Sequence, residues 1–268
     1  MARIVIYDSG VGGLSIYHEL SQSLEQLNGH HSLVFVSDNA AHPYGTKNDV
    51  DLIDRISLVA LTINKTYAPD ILLIACNTAS TIALQTLRSQ LDCEVVGVVP
   101  AIKPAANISQ TKTIGLLATP VTIKRSYTHK LINDFAKQCR IVKVGSSELV
   151  EMAEAKLAGQ TIELPRLRKI LQPFIECQSL DVVVLACTHF PLLREQIAHV
   201  FMDSDRSIML VDSGEAISRR VVSLLEPSMS QQTSLDLTAS FTDVMSTEAS
   251  LVRYLHKLGF ADIEYLKI

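Results

Sequence analysis

Residues 71–80, ILLIACNTAS, and residues 182–190, VVVLACTHF, decide the fold. Each is a short apolar run that ends in Ala-Cys, meets hydroxyl-bearing residues at once and gives way to a helical stretch. A run that is apolar at every position suits a strand buried on both faces, and such strands belong to parallel sheets covered by helices. Outward from ILLIA, strands are expected at 3–8 (RIVIYD), 33–37 (LVFVS) and 94–99 (EVVGVV), with helices over about 13–27, 49–66 and 79–91. This alternation defines an α/β chain.

The second half repeats the first. Residues 114–119 (IGLLAT) stand 110 positions after 4–9 (IVIYDS), and VVLAC (183–187) stands 111 after LLIAC (72–76). Residues 141–147 (IVKVGSS) fall about 107 after 34–40, and 208–211 (IMLV) fall 113 after 95–98. Four strands in one order at a nearly constant offset predict two similar α/β domains, each with a mainly parallel sheet flanked by helices. Pro165 suits the first turn of a helix running to about Cys177. After a helix at 213–225 come a Ser/Gln/Thr-rich linker (228–234), a strand (236–242), a helix (247–258) and a last strand (262–267). By length alone this tail extends either sheet.

Composition narrows the function classes. The 268 residues are 47% hydrophobic and 19% charged, which excludes a disordered chain. A net charge of −4, scattered Lys and Arg, and no Trp give no basis for nucleic-acid binding. The apolar runs are far shorter than the roughly 18–20 residues of a membrane span, and MARIVIYDSG lacks the pattern of a signal peptide. A cytoplasmic protein with reduced thiols is expected. Cys76, Cys93, Cys139, Cys177 and Cys187 form no CxxC pair, so neither a disulfide framework nor a structural zinc is expected.

Cys76 and Cys187 occupy the same place in the two halves, at a strand's carboxyl end just before a helix. Ligands of open α/β sheets bind there, and helix N-termini favour anions, so each thiol is expected below the roughly 8.5 of a free cysteine. Two facing halves would set the thiols on opposite sides of one cleft. One would remove an α-proton from one face of a substrate while the other returned a proton to the opposite face. Asp8, at the end of the first strand, and His189, two residues after Cys187, are candidate helpers. In SSELVEMAE (146–154), Glu148, Glu151 and Glu154 are equivalent on this reading, and all three also suit a solvated helix face. The glycines of DSGVGG (8–13) suit either backbone N–H groups approaching a substrate carboxylate or a tight turn. Ser9, Thr78, Thr119 and Thr188 offer hydroxyls to that carboxylate, and Tyr44-Gly45 in AHPYGTK (41–47) suits either a reach into the cleft or a plain Pro-x-Gly turn.

With these residues in place, the chain resembles the glutamate racemases of the aspartate/glutamate racemase superfamily. The motifs that carry the resemblance are DSGVGG (8–13), PYG (43–45), ACNTAS (75–80), LLATPVT (116–122), LVE (149–151) and ACTHFPLL (186–193). The resemblance implies two α/β domains, residues 1–98 with 209–268 and residues 99–208, with the site between them. It implies that Cys76 takes the proton from D-glutamate and Cys187 from L-glutamate, assisted by Asp8, Glu151 and His189. Asp8-Ser9, Tyr44-Gly45, Asn77-Thr78 and Thr188-His189 match the family's substrate contacts. No pyridoxal phosphate or metal is implied, members are often homodimers, and the product feeds peptidoglycan synthesis in bacteria. Two departures stand out. VKVGSSELVE (142–151) replaces an apolar, Pro-containing approach to the glutamate, and the chain starts at its first strand, so activity without a cell-wall-precursor activator is expected. Competing readings are a racemase of aspartate or another acidic amino acid, a bilobed amino-acid-binding protein and a thiol redox enzyme. The absent CxxC argues against the last.

Overall fold

The computed structural model describes residues 2–225, 233–243 and 249–268, and the strand–helix alternation resolves there into two parallel sheets. In chain order the first part runs β1 (Ala2–Asp8), α1 (Leu14–Glu25), β2 (Gly29–Ser37), α2 (Asp49–Tyr67), β3 (Ile71–Ile74), α3 (Asn77–Gln90) and β4 (Glu94–Gly97). Helix α4 (Ile102–Ile108) leads to β5 (Thr113–Ala118), α5 (Pro120–Lys124), α6 (Ser126–Phe135), β6 (Arg140–Gly145) and α7 (Glu148–Leu157). Then come α8 (Leu164–Glu176), β7 (Val182–Ala186), α9 (Arg194–Met202) and β8 (Met209–Val211). The tail contributes α10 (Gly214–Leu224), β9 (Thr233–Phe241), α11 (Ala249–Lys257) and β10 (Asp262–Tyr265).

Among the described residues, one sheet has the order β10-β9-β2-β1-β3-β4 and the other β6-β5-β7-β8. Matching β1 to β5, β2 to β6, β3 to β7 and β4 to β8 turns one four-strand order into the other, and every pair is parallel. The repeat in the sequence is a repeat of topology.

Successive side chains of a strand point to opposite faces, and here both faces are covered. Ile4 and Ile6 pack with Leu14, Leu20 and Phe35 on one side of the first sheet, while Val5 and Tyr7 pack with Leu52, Ile56 and Val59 on the other. In the second sheet Val183 and Leu185 join Phe174 and Phe190, and Val182 and Val184 join Ile102 and Ala105. Each such aliphatic side chain contributes roughly 1.5–3 kcal/mol through burial, which fixes both sheets and therefore the positions of their ends.

The tail extends the first sheet. β9 runs beside β2 from Gly29↔Thr233 to Ser37↔Phe241, and β10 pairs with β9. One boundary shifts: residues 209–211 were expected in the first unit, but β8 pairs with β7 through Val182↔Met209 to Val184↔Val211. Helix α9 makes a short crossover from β7, which delivers the chain to the adjacent edge of the same sheet. The second sheet therefore continues through Val211. Residues 228–232 of the expected linker and residues 247–248 of the expected helix lie outside the described residues. At 233–234 the chain is already in β9. The two passages between the sheets lie side by side, where the Ser213 hydroxyl donates to the Val99 carbonyl at 2.6 Å. Among the described residues, no helix is long and apolar enough to cross a membrane.

Candidate active site

The carboxyl ends of the central strands β1, β3, β5 and β7 converge on a cavity of about 180 Å³. Ser9, Tyr44, Gly45, Cys76, Asn77, Thr78, Thr119, Glu151, Cys187, Thr188 and His189 all line it, so most of the residues expected from the sequence meet here. Asp8 lies beneath, fully buried. Its carboxylate accepts the Gly10 N–H at 2.9 Å and, from the second unit, the Thr188 hydroxyl at 3.2 Å. One buried anion thus links the end of β1 to the loop after β7.

Cys76 and Cys187 are both buried and both reduced. Cys76 caps the start of α3, and the Ser9 hydroxyl lies 3.6 Å from its sulfur. Burial pushes this thiol up to about 12, and the Asp8 charge adds to the rise, while the Ala79 N–H and Ser9 pull the other way. The helix N-terminus was expected to lower it. Desolvation together with a buried neighbouring carboxylate outweighs the few N–H groups that the first turn offers.

Cys187 has a different partner. Its sulfur stands 3.9 Å from Nδ1 of His189, and Nε2 of the same ring is 3.2 Å from Glu154 Oε1. Burial alone would lower His189, but the hydrogen bonds to Cys187 and Glu154 and the charges of Cys187 and Asp8 raise it to about 10. These partners favour the protonated ring. Burial raises Glu154, but the two histidines beside it prevail and bring its carboxyl below the usual range. The second histidine is His42, whose Nε2 is 3.1 Å from the same oxygen.

The three glutamates separate clearly. Glu148 pairs with Arg166, Glu151 is exposed at the cavity wall, and Glu154 carries the contact with His189. Helical spacing puts 151 and 154 on neighbouring positions of one face, so the sequence could not divide them. His42 also went unseen as a site residue. It precedes Pro43-Tyr44-Gly45 but belongs to no spacing pattern, and only the folded chain brings it to Glu154.

The segment DSGVGG turns into α1, as one of the two expected readings had it, with the Leu14 N–H donating to the Val11 carbonyl at 3.1 Å, and two of its glycines have a further use. A Cβ at Gly10 would lie 2.6 Å from His42 Nδ1, and one at Gly12 would lie 2.6 Å from the Thr188 hydroxyl and overlap the His189 ring. Gly10 and Gly12 leave room for imidazoles. Gly45 packs in the same way against Thr119, to which a Cβ would come within 3.1 Å.

The remaining lining residues are held by polar contacts. Thr119 caps α5 and donates to the Thr122 hydroxyl at 3.0 Å, and Thr78 lies 3.3 Å from that hydroxyl across the cleft. Tyr44 is fixed from behind. Its phenol donates to Asp38 at 2.5 Å and meets the Tyr7 phenol, while Arg55 clamps Asp38 at 2.6 and 2.9 Å. Burial pushes both phenols up, so they remain protonated.

Two matched parallel sheets that present one thiol each to a shared cavity define a class: a two-domain α/β enzyme with a cysteine on each side of its cleft. The Asp/Glu/Hydantoin racemase family model matches residues 8–221. The chain is 44% identical over 267 residues to the glutamate racemase of Escherichia coli O7:K1, covering 99% of this chain and 91% of that protein. It is also similar to the crystal structure of Escherichia coli glutamate racemase in complex with L-glutamate and the activator UDP-MurNAc-Ala. There the TM-score is 0.88 and the identity 41%, over 99% of this chain and 98% of that one. The glutamate racemase of Aquifex pyrophilus gives a TM-score of 0.75 at 28% identity, over 98% of each chain. The chain belongs to the Asp/Glu/Hydantoin racemase family.

Proposed function

We propose that this chain interconverts L- and D-glutamate by a two-base mechanism carried by Cys76 and Cys187, supplying D-glutamate for peptidoglycan synthesis in the cytoplasm. The observation that carries the reading is the pair of cysteines at matched strand ends, lining one cavity, each with its own proton partner. The thiolate of Cys187 removes the α-proton of L-glutamate: the C–H bond breaks, an S–H bond forms, and the electron pair passes to the carbon and its carboxylate. Cys76 then gives its proton to the opposite face. From D-glutamate the roles exchange, and the cavity returns to its first state by proton transfer with solvent.

Several features support this. About 180 Å³ is well under the roughly 300–1,000 Å³ of sites for larger ligands, so a small amino acid fits. Asp8, buried beneath the cavity next to Cys76, supplies a negative charge that would attract the substrate ammonium. That cation would offset the Asp8 charge, which adds to the desolvation that raises the Cys76 thiol, so the thiolate would be more populated when substrate is bound. His189, held as imidazolium by Glu154, stabilises negative charge on Cys187. The hydroxyls and amides of Ser9, Asn77, Thr78, Thr119, Thr188 and the Tyr44-Gly45 loop hold the two carboxylates. The assisting carboxylate on α7 is assigned to Glu154, with Glu151 at the rim. The domains divide as residues 2–98 with 212–268, and residues 99–211.

The test is incubation with L-glutamate, and separately L-aspartate, in deuterated water while circular dichroism and α-deuteration are recorded. The expected result is loss of optical signal and deuterium uptake with glutamate, both far faster than with aspartate. Neither change with glutamate would refute the reading, and faster turnover of aspartate would move the specificity to the shorter acid.

A further inference from the structure

His42, Glu154 and His189 meet where two cavities adjoin. His42 and Glu154 line both the site cavity and a neighbouring one of about 380 Å³, and His189 faces the site cavity. Three ligand atoms, one from each residue, lie within 4.8 Å of one another. His42 Nε2 and His189 Nε2 stand 3.1 and 3.2 Å from the same Glu154 oxygen, and the imidazole centroids are 5.6 Å apart. Around a four-coordinate zinc ion with ligands at about 2.0–2.1 Å, neighbouring ligand atoms lie roughly 3.3 Å apart. Two of the three edges already have that length, and small ring rotations close the third.

The donor set has the chemistry of a borderline transition metal. Two imidazoles and a carboxylate suit zinc, copper or nickel and do not suit calcium or magnesium. His42 comes from the loop after β2, whereas Glu154 and His189 come from α7 and the segment after β7. An ion held by all three would fasten the two halves of the molecule across the cleft. Access runs through the outer cavity, since the Glu154 side chain is 37% exposed and that of His189 only 3%. Gly10 makes the convergence feasible, because a side chain there would strike His42 at 2.6 Å and Glu154 at 3.1 Å.

We propose that His42, Glu154 and His189 form an inhibitory site for one Zn²⁺-class ion, with the fourth coordination position open to the cavity. Binding sends the Nε2 proton of His189 to solvent. It then holds both rings and Glu154 on the metal, so the His189 ring can no longer move with Cys187 and the cleft is stapled shut. The inhibitory consequence rests on the racemase reading, whereas the binding does not.

The experiment uses the metal-free full chain, titrated with Zn²⁺ by calorimetry and with Co²⁺ by absorption, alongside His42→Phe and His42→Gln. The expected result is one ion per chain, a tetrahedral cobalt spectrum without a thiolate charge-transfer band, and binding weakened at least about tenfold in both variants. Racemisation falls in proportion to Zn²⁺ occupancy, relative to each protein's own metal-free rate, and returns with a chelator. Absence of binding, equal affinity in wild type and both variants, or a thiolate band placing the ion on Cys76 or Cys187 would overturn the proposal. If Zn²⁺ binds as described and the metal-free chain does not racemise glutamate, the metal site stands and the functional reading falls.

Discussion

Cys76 and Cys187 end corresponding strands, yet their surroundings differ in sign. Cys76 sits beside a hydroxyl at 3.6 Å and above the buried Asp8 carboxylate, an environment that pushes its thiol up to about 12. Cys187 faces the His189 ring at 3.9 Å, which Glu154 anchors from behind and which its partners bias toward the protonated form. A duplicated architecture thus supplies matched positions but not matched electrostatics. Interconversion of enantiomers has an equilibrium constant of one, so kcat/KM must be equal in the two directions at every pH. The asymmetry therefore acts on where the proton rests in the free enzyme and not on the overall balance of the reaction.

That comparison can be broken at either end. The largest effect is expected from Cys76→Ser and Cys187→Ser, each lowering racemisation by roughly 10³-fold or more, as for essential members of other catalytic units. Gly12→Ala comes next. Its methyl group would press on the Thr188 hydroxyl and the His189 ring, and a displacement of about 1 Å is worth roughly 10²-fold in rate. Steady-state kinetics should show kcat falling while the circular dichroism of the fold persists.

Glu154→Gln sharpens the Cys187 side. Removing a charged hydrogen-bond partner, worth about 1.5–3 kcal/mol, should lower kcat about tenfold or more, whereas Glu151→Gln at the exposed rim should change it less than threefold or so. Equal losses in the two variants would return the assisting role to Glu151.

The smallest effect is one of stability. A histidine raised from about 6.5 to about 10 on folding stabilises the protein fully below about 6.5 and loses that contribution as pH rises through about 10. The Tm advantage of wild type over His189→Gln should therefore shrink from neutral pH to pH 10. A constant difference would mean that the ring is not held as a cation.

Much of this was legible in the sequence because parallel strands write themselves as unbroken apolar runs. ILLIA and VVVLA announced both sheets, and their matched cysteines announced the cavity. Contacts made across the cleft left no such trace. Nothing in AHPYG signals that His42 meets a carboxylate on α7, and the helical period puts Glu151 and Glu154 on adjacent positions of one face. The glycines of DSGVGG were visible, but their partners His42 and His189 are far away in the chain. The direction of the Cys76 shift was missed for a physical reason, since desolvation depends on everything packed around the sulfur and a helix start is only one neighbour.

The central claim is that each thiol serves one face of the substrate. α-Proton exchange in deuterated water, measured from pure L-glutamate and pure D-glutamate with Cys76→Ser and Cys187→Ser, tests it most directly. The account predicts that Cys76→Ser exchanges only the L-enantiomer, that Cys187→Ser exchanges only the D-enantiomer, and that neither inverts configuration. Exchange of both enantiomers by either variant, or inversion that survives the loss of one thiol, would contradict it.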